Sequence, residues 1–112
     1  MSTPEADREP GDWDGLRGLD RLLEHRVRLG LCVLLSRHDA LSFRRLKELL
    51  GETDGSLGAH LRKLEEAKYI DVRKEFQNRK PVSWYSLQDR GRRALLSHTR
   101  SLARIIGETA SE

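Results

Sequence analysis

At Tyr69 the chain changes its period. Before it, leucines recur at steps of three and four residues. After it, "YIDVRKEF" alternates residue by residue, with Ile70, Val72 and Phe76 on one side. The change predicts a helix ending near Lys68 and a strand starting just beyond it. "QNRKP" then reads as a turn rich in Gln, Asn and Pro that carries Arg79 and Lys80, and "VSWYSL" as a second short strand. The pair makes a hairpin with a basic tip.

The leucine stripes upstream divide into separate helices. Leu16, Leu19, Leu22 and Leu23 keep helical spacing, and Val27, Leu31, Leu34 and Leu35 form a second segment that "SRHDALS" ends. Ser42 then stands where an N-cap is wanted, ahead of the stripe Phe43, Leu46, Leu49 and Leu50, and Gly51 supplies a left-handed residue just past it. Thr53 or Asp54 caps the next helix, whose buried side is Leu57, Leu61 and Leu64. At 100° per residue, Gly55, Ala59, Arg62 and Lys63 fall on the opposite side. Gly, Ser, Gly and Ala in "GSLGA" have little to bury and weak helix propensity. Their presence on an outward face fits a large partner that comes very close. Downstream of the hairpin, Asp89 is placed to cap a last helix of about twenty residues with the stripe Ala94, Leu95, His98, Leu102, Ile105 and Ile106.

A chain of 112 residues has room for one core. Its charge is uneven. Residues 1–15 carry five acids (Glu5, Asp7, Glu9, Asp12, Asp14) and one base (Arg8), so the remainder holds 20 bases against 13 acids, a net of +7. That excess suits a polyanionic partner. Residues 1–12, with Pro4, Pro10 and Gly11 and no apolar period, read as a disordered acidic arm, and residues 13–112 as the domain. Trp13 sits at helical spacing to Leu16 and reads as packing. The apolar run around Gly30 is far too short to span a membrane and the N-terminus has no apolar signal region, so the expectation is a cytoplasmic protein. Cys32 lies in that run and reads as a small buried hydrophobe. His25, His38, His60 and His98 are scattered, and none pairs with another or with Cys32 at the spacing of a metal or nucleophile motif. The expectation is no catalytic site, no metal and no cofactor.

The order is helix, helix, helix, hairpin, long helix, with "GET" as the tight link inside a helix-turn-helix. The pieces "VRL", "SFRRLKELLG", "GSLGAHLRKLE", "YIDV", the basic hairpin and "YSLQDRGRRAL" occur in the order seen in winged helix-turn-helix regulators of the MarR/ArsR type. The chain resembles the small, minimal branch of that group over about 80 of its 112 residues. Two positions depart from the pattern. Lys68 stands where the family usually has Gly, and Gln88 where it usually has Thr. Lys68 is then expected in a strained left-handed turn, or else the helix ends differently.

The resemblance implies a mainly α fold with a small β-hairpin wing. It implies that the helix beginning near Thr53 enters the major groove of DNA. Gly55, Ser56, Gly58 and Ala59 would let the backbone approach, and Arg62 or Lys63 would reach a base edge or phosphate. The wing tip, with Asn78, Arg79 and Lys80, would lie on the adjacent backbone or in the minor groove. Ser42, Arg44, Arg45, Thr53 and His60 complete the implied DNA-facing set, although His60, at the edge of the leucine stripe, reads better as packing.

The last helix carries more apolar stripe than so small a domain can cover. Leu95, His98, Leu102, Ile105 and Ile106, matched with Leu16, Leu19, Leu22 and Leu23 of the first helix, predict a homodimer through the N- and C-terminal helices. The function expected is a homodimeric transcriptional regulator on an inverted-repeat operator in double-stranded DNA. A small-molecule or protein effector is left open. The competing reading is a winged-helix interaction adaptor without direct DNA readout, since fold does not fix function.

Overall fold

The structure is a computed structural model that describes residues 16–110, with side chains to residue 107. The expected arm (1–12) and Trp13 lie outside the described residues. Four α-helices surround a small antiparallel sheet. After a 3-10 turn at Arg21–Glu24 come α1 (Arg26–Ser36), β1 (Leu41–Ser42), α2 (Phe43–Leu50), α3 (Asp54–Glu66), β2 (Ile70–Gln77), β3 (Lys80–Leu87) and α4 (Asp89–Ala110). The strand order is β1-β3-β2.

The helix ends follow local chemistry. The Ser42 hydroxyl accepts from the Arg45 N–H at 3.1 Å, and the Thr53 hydroxyl accepts from the Ser56 N–H at 3.1 Å, so each satisfies a donor left free by its helix. Gly51 takes φ 65 and its N–H donates to the Lys47 carbonyl at 2.9 Å. Lys47 of α2 pairs with Asp54 of α3 at 2.8 Å across this turn, a mostly exposed contact of small worth. Lys68 takes φ 66 in the position where Gly is usual. Its N–H donates to Glu65 O at 3.0 Å and the Tyr69 N–H donates to Leu64 O at 2.9 Å, so the Schellman end of α3 forms with a lysine at its left-handed residue.

One core lies where α1, α2, α3 and the hairpin base meet. Leu23, Val27, Leu31, Cys32, Leu35, Leu46, Leu57, Leu61, Leu64, Ile70 and Leu87 are buried in it. Burial lifts the Cys32 thiol to about 12, with Asp20 adding to the rise, so the thiolate is disfavoured and the residue packs as a hydrophobe. A second junction is polar. The Asp20 carboxylate accepts from the Leu22 N–H at 2.9 Å and from the Tyr69 hydroxyl, and the Asp20 N–H donates to His98 Nδ1 at 2.9 Å. Three distant segments thus meet at one residue.

Several expectations are corrected here. Leu16, Leu19, Leu22 and Leu23 do not share one regular helix, because Asp20 caps a new 3-10 turn in the middle of the run. Leu49 is 42% exposed and not part of the buried stripe of α2. Phe76 shares the register of Ile70 and Val72 but is 77% exposed, since the strand continues past the helices that cover its base. Asp89 is the first residue of α4 and not its cap. Gln88 precedes it, donating its N–H to Tyr69 O at 2.8 Å and accepting from the Arg92 N–H at 2.9 Å.

Candidate nucleic-acid interface

The recognition surface is built around α3. Its leucines Leu57, Leu61 and Leu64 are sealed in the core, which fixes the opposite side outward. Gly55, Ala59, Arg62 and Lys63 lie there, exposed or nearly so. A Cβ built on Gly55 or Gly58 would meet nothing within 4 Å. The fold therefore has no steric need for either glycine. Neither Arg62 nor Lys63 forms an ion pair among the described residues, although Glu65 and Glu66 are near in sequence.

The hairpin stands beside this helix. Its turn is Asn78–Arg79, with φ 52 and 67. Positive φ at both central residues is the two-residue turn that matches strand twist, and Gly is the usual second residue. Here Arg79 occupies that position and projects from the tip. Register places Val72, Lys74 and Phe76 on one face, opposite Tyr85, Ser83 and Pro81. A cleft of about 270 Å³ runs between this face and α3, lined by Gly58, Arg62 and Glu65 on the helix and Val72, Lys74 and Tyr85 on the wing. Phe76 and Pro81 extend the same face past the cleft toward the tip. Lys74 and Phe76 were missed in the sequence. The signal available was the alternation itself, which assigns them a common face but not the point at which the core stops covering it.

Other expected contact residues have work inside the fold. Ser42 and Thr53 are caps, and the Ser56 hydroxyl donates to Glu52 Oε1 at 2.6 Å. Arg44 and Arg45 both lean on Glu48, at 3.5 and 3.2 Å, in exposed pairs that leave the guanidinium groups accessible. His60 turns toward α1. Its Nδ1 lies 3.0 Å from Arg28, which requires a neutral ring accepting from the guanidinium, and its ring lies 4.2 Å from that of His25. Burial first, then the neighbouring His25 and Arg28, hold His60 below the ordinary histidine value. His25 in turn accepts from the Val27 N–H at 3.2 Å and so caps α1. Among the described residues no three His, Cys, Asp or Glu side chains gather into a set that could hold a metal ion.

The residues expected at a dimer interface divide. Leu23 is enclosed in the core of its own chain, and His98 is buried with its Nδ1 accepting from Asp20. These two are used within the protomer and offer no surface. Leu19, Leu22, Leu95, Leu102 and Ile105 are half-buried, while Leu16 and Ile106 are exposed, Ile106 by 63%. Leu96, 51% exposed, adds apolar surface on α4 that the sequence stripe did not include.

A helix-turn-helix with a basic two-stranded wing defines a winged-helix nucleic-acid-binding module, and residues 27–106 match the family described as winged helix DNA-binding domain. The chain belongs to that family. An uncharacterized protein of Methanocaldococcus jannaschii is 32% identical over 72 residues, which span 64% of this chain and 78% of that one. Among solved structures, a transcriptional regulator homologue from Pyrococcus horikoshii superposes with a TM-score of 0.79 at 23% identity, over 90% of this chain and 98% of the other. A zinc-responsive MarR family member, ZitR of Lactococcus lactis, superposes at 0.56 and 16% identity, over 77% and 58% of the two chains. Among the described residues no helix is long and apolar enough to cross a membrane.

Proposed function

We propose that the protein is a transcriptional regulator that binds duplex DNA through α3 and the wing, as a homodimer on an inverted repeat. The observation that carries this reading is the pair of glycines on α3. Each costs a helix about 1 kcal/mol relative to Ala, and the space around each is open. A helix face kept bare at its own expense, followed by two unpaired cations and flanked by a wing with Lys74, Arg79 and Lys80, fits a backbone pressed into a groove. The sugar-phosphate strand would run along the cleft between α3 and the wing, with Arg62 or Lys63 reaching base edges or phosphates. Phe76 and Pro81 would then meet the sugars of the adjacent minor groove. The dimer would form through Leu16, Leu96, Leu102 and Ile106, setting two α3 helices about one DNA turn apart.

The deciding experiment is Gly58→Ala, read two ways. The variant should melt higher than the parent and bind duplex DNA, selected from a random pool, at least tenfold more weakly. An interaction adaptor that does not touch DNA through this face would show the first effect without the second. Parent binding should also fall steeply with salt, because phosphate contacts release counterions. Binding that is absent at low salt, or indifferent to salt, would remove the DNA reading. Sedimentation of the parent at tens of micromolar tests the dimer separately, and Leu102→Asp with Ile106→Asp should leave a monomer with little affinity for the selected duplex.

A further inference from the structure

The wing has a second face. Gln77, Lys80, Val82 and Trp84 fall by register on the side of the hairpin away from α3. β1 pairs with β3 only at Tyr85 and Trp84. Beyond that point β3 has no neighbour on this edge, and the first residues of α2 stand beside it. Between them lies a cavity of about 520 Å³, within the range of roughly 300–1,000 Å³ usual for small-molecule sites.

Its lining is apolar with one sign of charge. Phe43, Val82 and Trp84 form the walls, Arg44 and Lys80 bring cations, and Gln77 brings an amide; no carboxylate lines it. The nearest acids are engaged by other arginines or shared: Glu48 reaches Arg44 and Arg45, and Glu75, opposite Val82, is held by Arg73 at 2.6 Å. Trp84 adds a further donor. Its Nε1–H is closed off from solvent and meets no acceptor among the described residues. An indole N–H only donates, and a buried donor without a partner is a standing cost that an incoming acceptor relieves.

We propose that this cavity binds a small organic anion with a flat apolar body. The body lies against Phe43, Val82 and the indole, the anionic group meets Lys80 and Arg44, and one of its oxygens accepts from Trp84 Nε1–H after a small rotation of the ring. Binding also opposes DNA binding, because Lys80 and Arg44 are then occupied by the ligand instead of phosphate. This second half rests on the DNA reading above; the first half does not.

The probe is 2-naphthoate, titrated into the DNA-free full chain with nitrogen-15 NMR as the readout. The chain has two tryptophans, so two indole N–H resonances are expected, and Trp84→Phe assigns the relevant one. The expected result is a saturable shift of the Trp84 resonance. Affinity should fall at least tenfold for 2-naphthamide, for inorganic phosphate, and for the parent ligand on Lys80→Gln with Arg44→Gln. Equal affinity for the amide would overturn the anionic requirement, equal affinity for phosphate would overturn the apolar one, and no saturable shift at millimolar naphthoate would overturn the site. Should Trp84→Phe not fold, Val82→Trp fills the cavity from the strand side and must abolish the response while leaving the rest of the spectrum in place. With DNA present, naphthoate should lower DNA affinity by the factor by which DNA lowers naphthoate affinity. Naphthoate bound with DNA affinity unchanged overturns the coupling. Failure to bind DNA in naphthoate-free buffer overturns the DNA reading and the coupling with it, while the site stands or falls on the titration alone.

Discussion

The outward face of α3 and the first turn of α4 each carry a helical glycine, and the two glycines answer to different partners. A Cβ on Gly91 would sit 2.3 Å from the Tyr69 carbonyl oxygen and 2.8 Å from Leu87 Cδ1. The start of α4 can press on the end of α3 and the base of the wing only because that side chain is missing. A Cβ on Gly58 would meet nothing. One glycine is required by the chain itself, whereas the other is required, if at all, by something outside it. The difference shows that small residues in one sequence can record two separate contacts, and that only the space around each tells them apart.

The contrast breaks most visibly at Gly91. Gly91→Ala should cost about 3 kcal/mol or more, since backbone must move to admit the methyl group; a urea midpoint within experimental error of the parent would mean the close approach is not part of the native state. Gly58→Ala should do the reverse, gaining about 1 kcal/mol of stability in the same assay. A smaller gain, about 0.5 kcal/mol, is expected from Lys68→Gly. Relief of left-handed strain at φ 66 exceeds the added entropy of an unfolded glycine by roughly that much. Loss of stability would show that Lys68 makes contacts worth more than its strain. Gly30→Ala sits between the two cases. Its Cβ would lie 3.2 Å from Leu50 Cδ2, the end of a flexible side chain, so helix propensity and crowding should cancel to within about 0.5 kcal/mol.

Acid sharpens the comparison from another side. His60 lies on α3, and burial with His25 and Arg28 beside it lowers its pKa from the ordinary 6.5. The unfolded chain therefore binds the proton more readily, and stability that is fully present above about 6.5 is lost as pH falls through that value. His60→Gln should flatten this part of the melting-temperature profile relative to the parent. Parallel profiles for the two proteins between pH 7.5 and 5 would remove His60 as the cause.

Much of the architecture is legible in the residues because the signals are local. The change of period at Tyr69, the caps Ser42 and Thr53, Gly51 and the Asn-Arg turn each act within four residues, and each is where the pattern puts it. The strain at Lys68 could be expected from its place after the leucine stripe. What the pattern does not reach is tertiary. A two-residue strand such as β1 has no period to detect. Asp20 interrupts a leucine run that looks continuous, because its carboxylate and N–H find partners 49 and 78 positions away. Phe76 keeps the right register but outruns the core. His98 reads as part of an apolar stripe, yet it is a buried acceptor for Asp20. For the candidate interface the residue types were legible, while the assignment of Ser42, Thr53 and Ser56 to capping and loop bonds, and of His60 to α1, needed the geometry.

The Asp20 junction has a consequence for the order in which the protein is made. Its partners come from the 3-10 turn, from Tyr69 and from His98, so it cannot close until the ribosome has released most of α4. A nascent chain ending at Leu87 would hold the whole helix-turn-helix and wing, yet leave the Asp20 N–H and the Tyr69 carbonyl without the acceptor from His98 and the donor from Gln88. The surface read here as DNA-binding would then be complete in sequence before it is locked in shape. Because residues so far apart must meet, the final closure is slow compared with the local helices, and the end of synthesis becomes the moment at which the module is set.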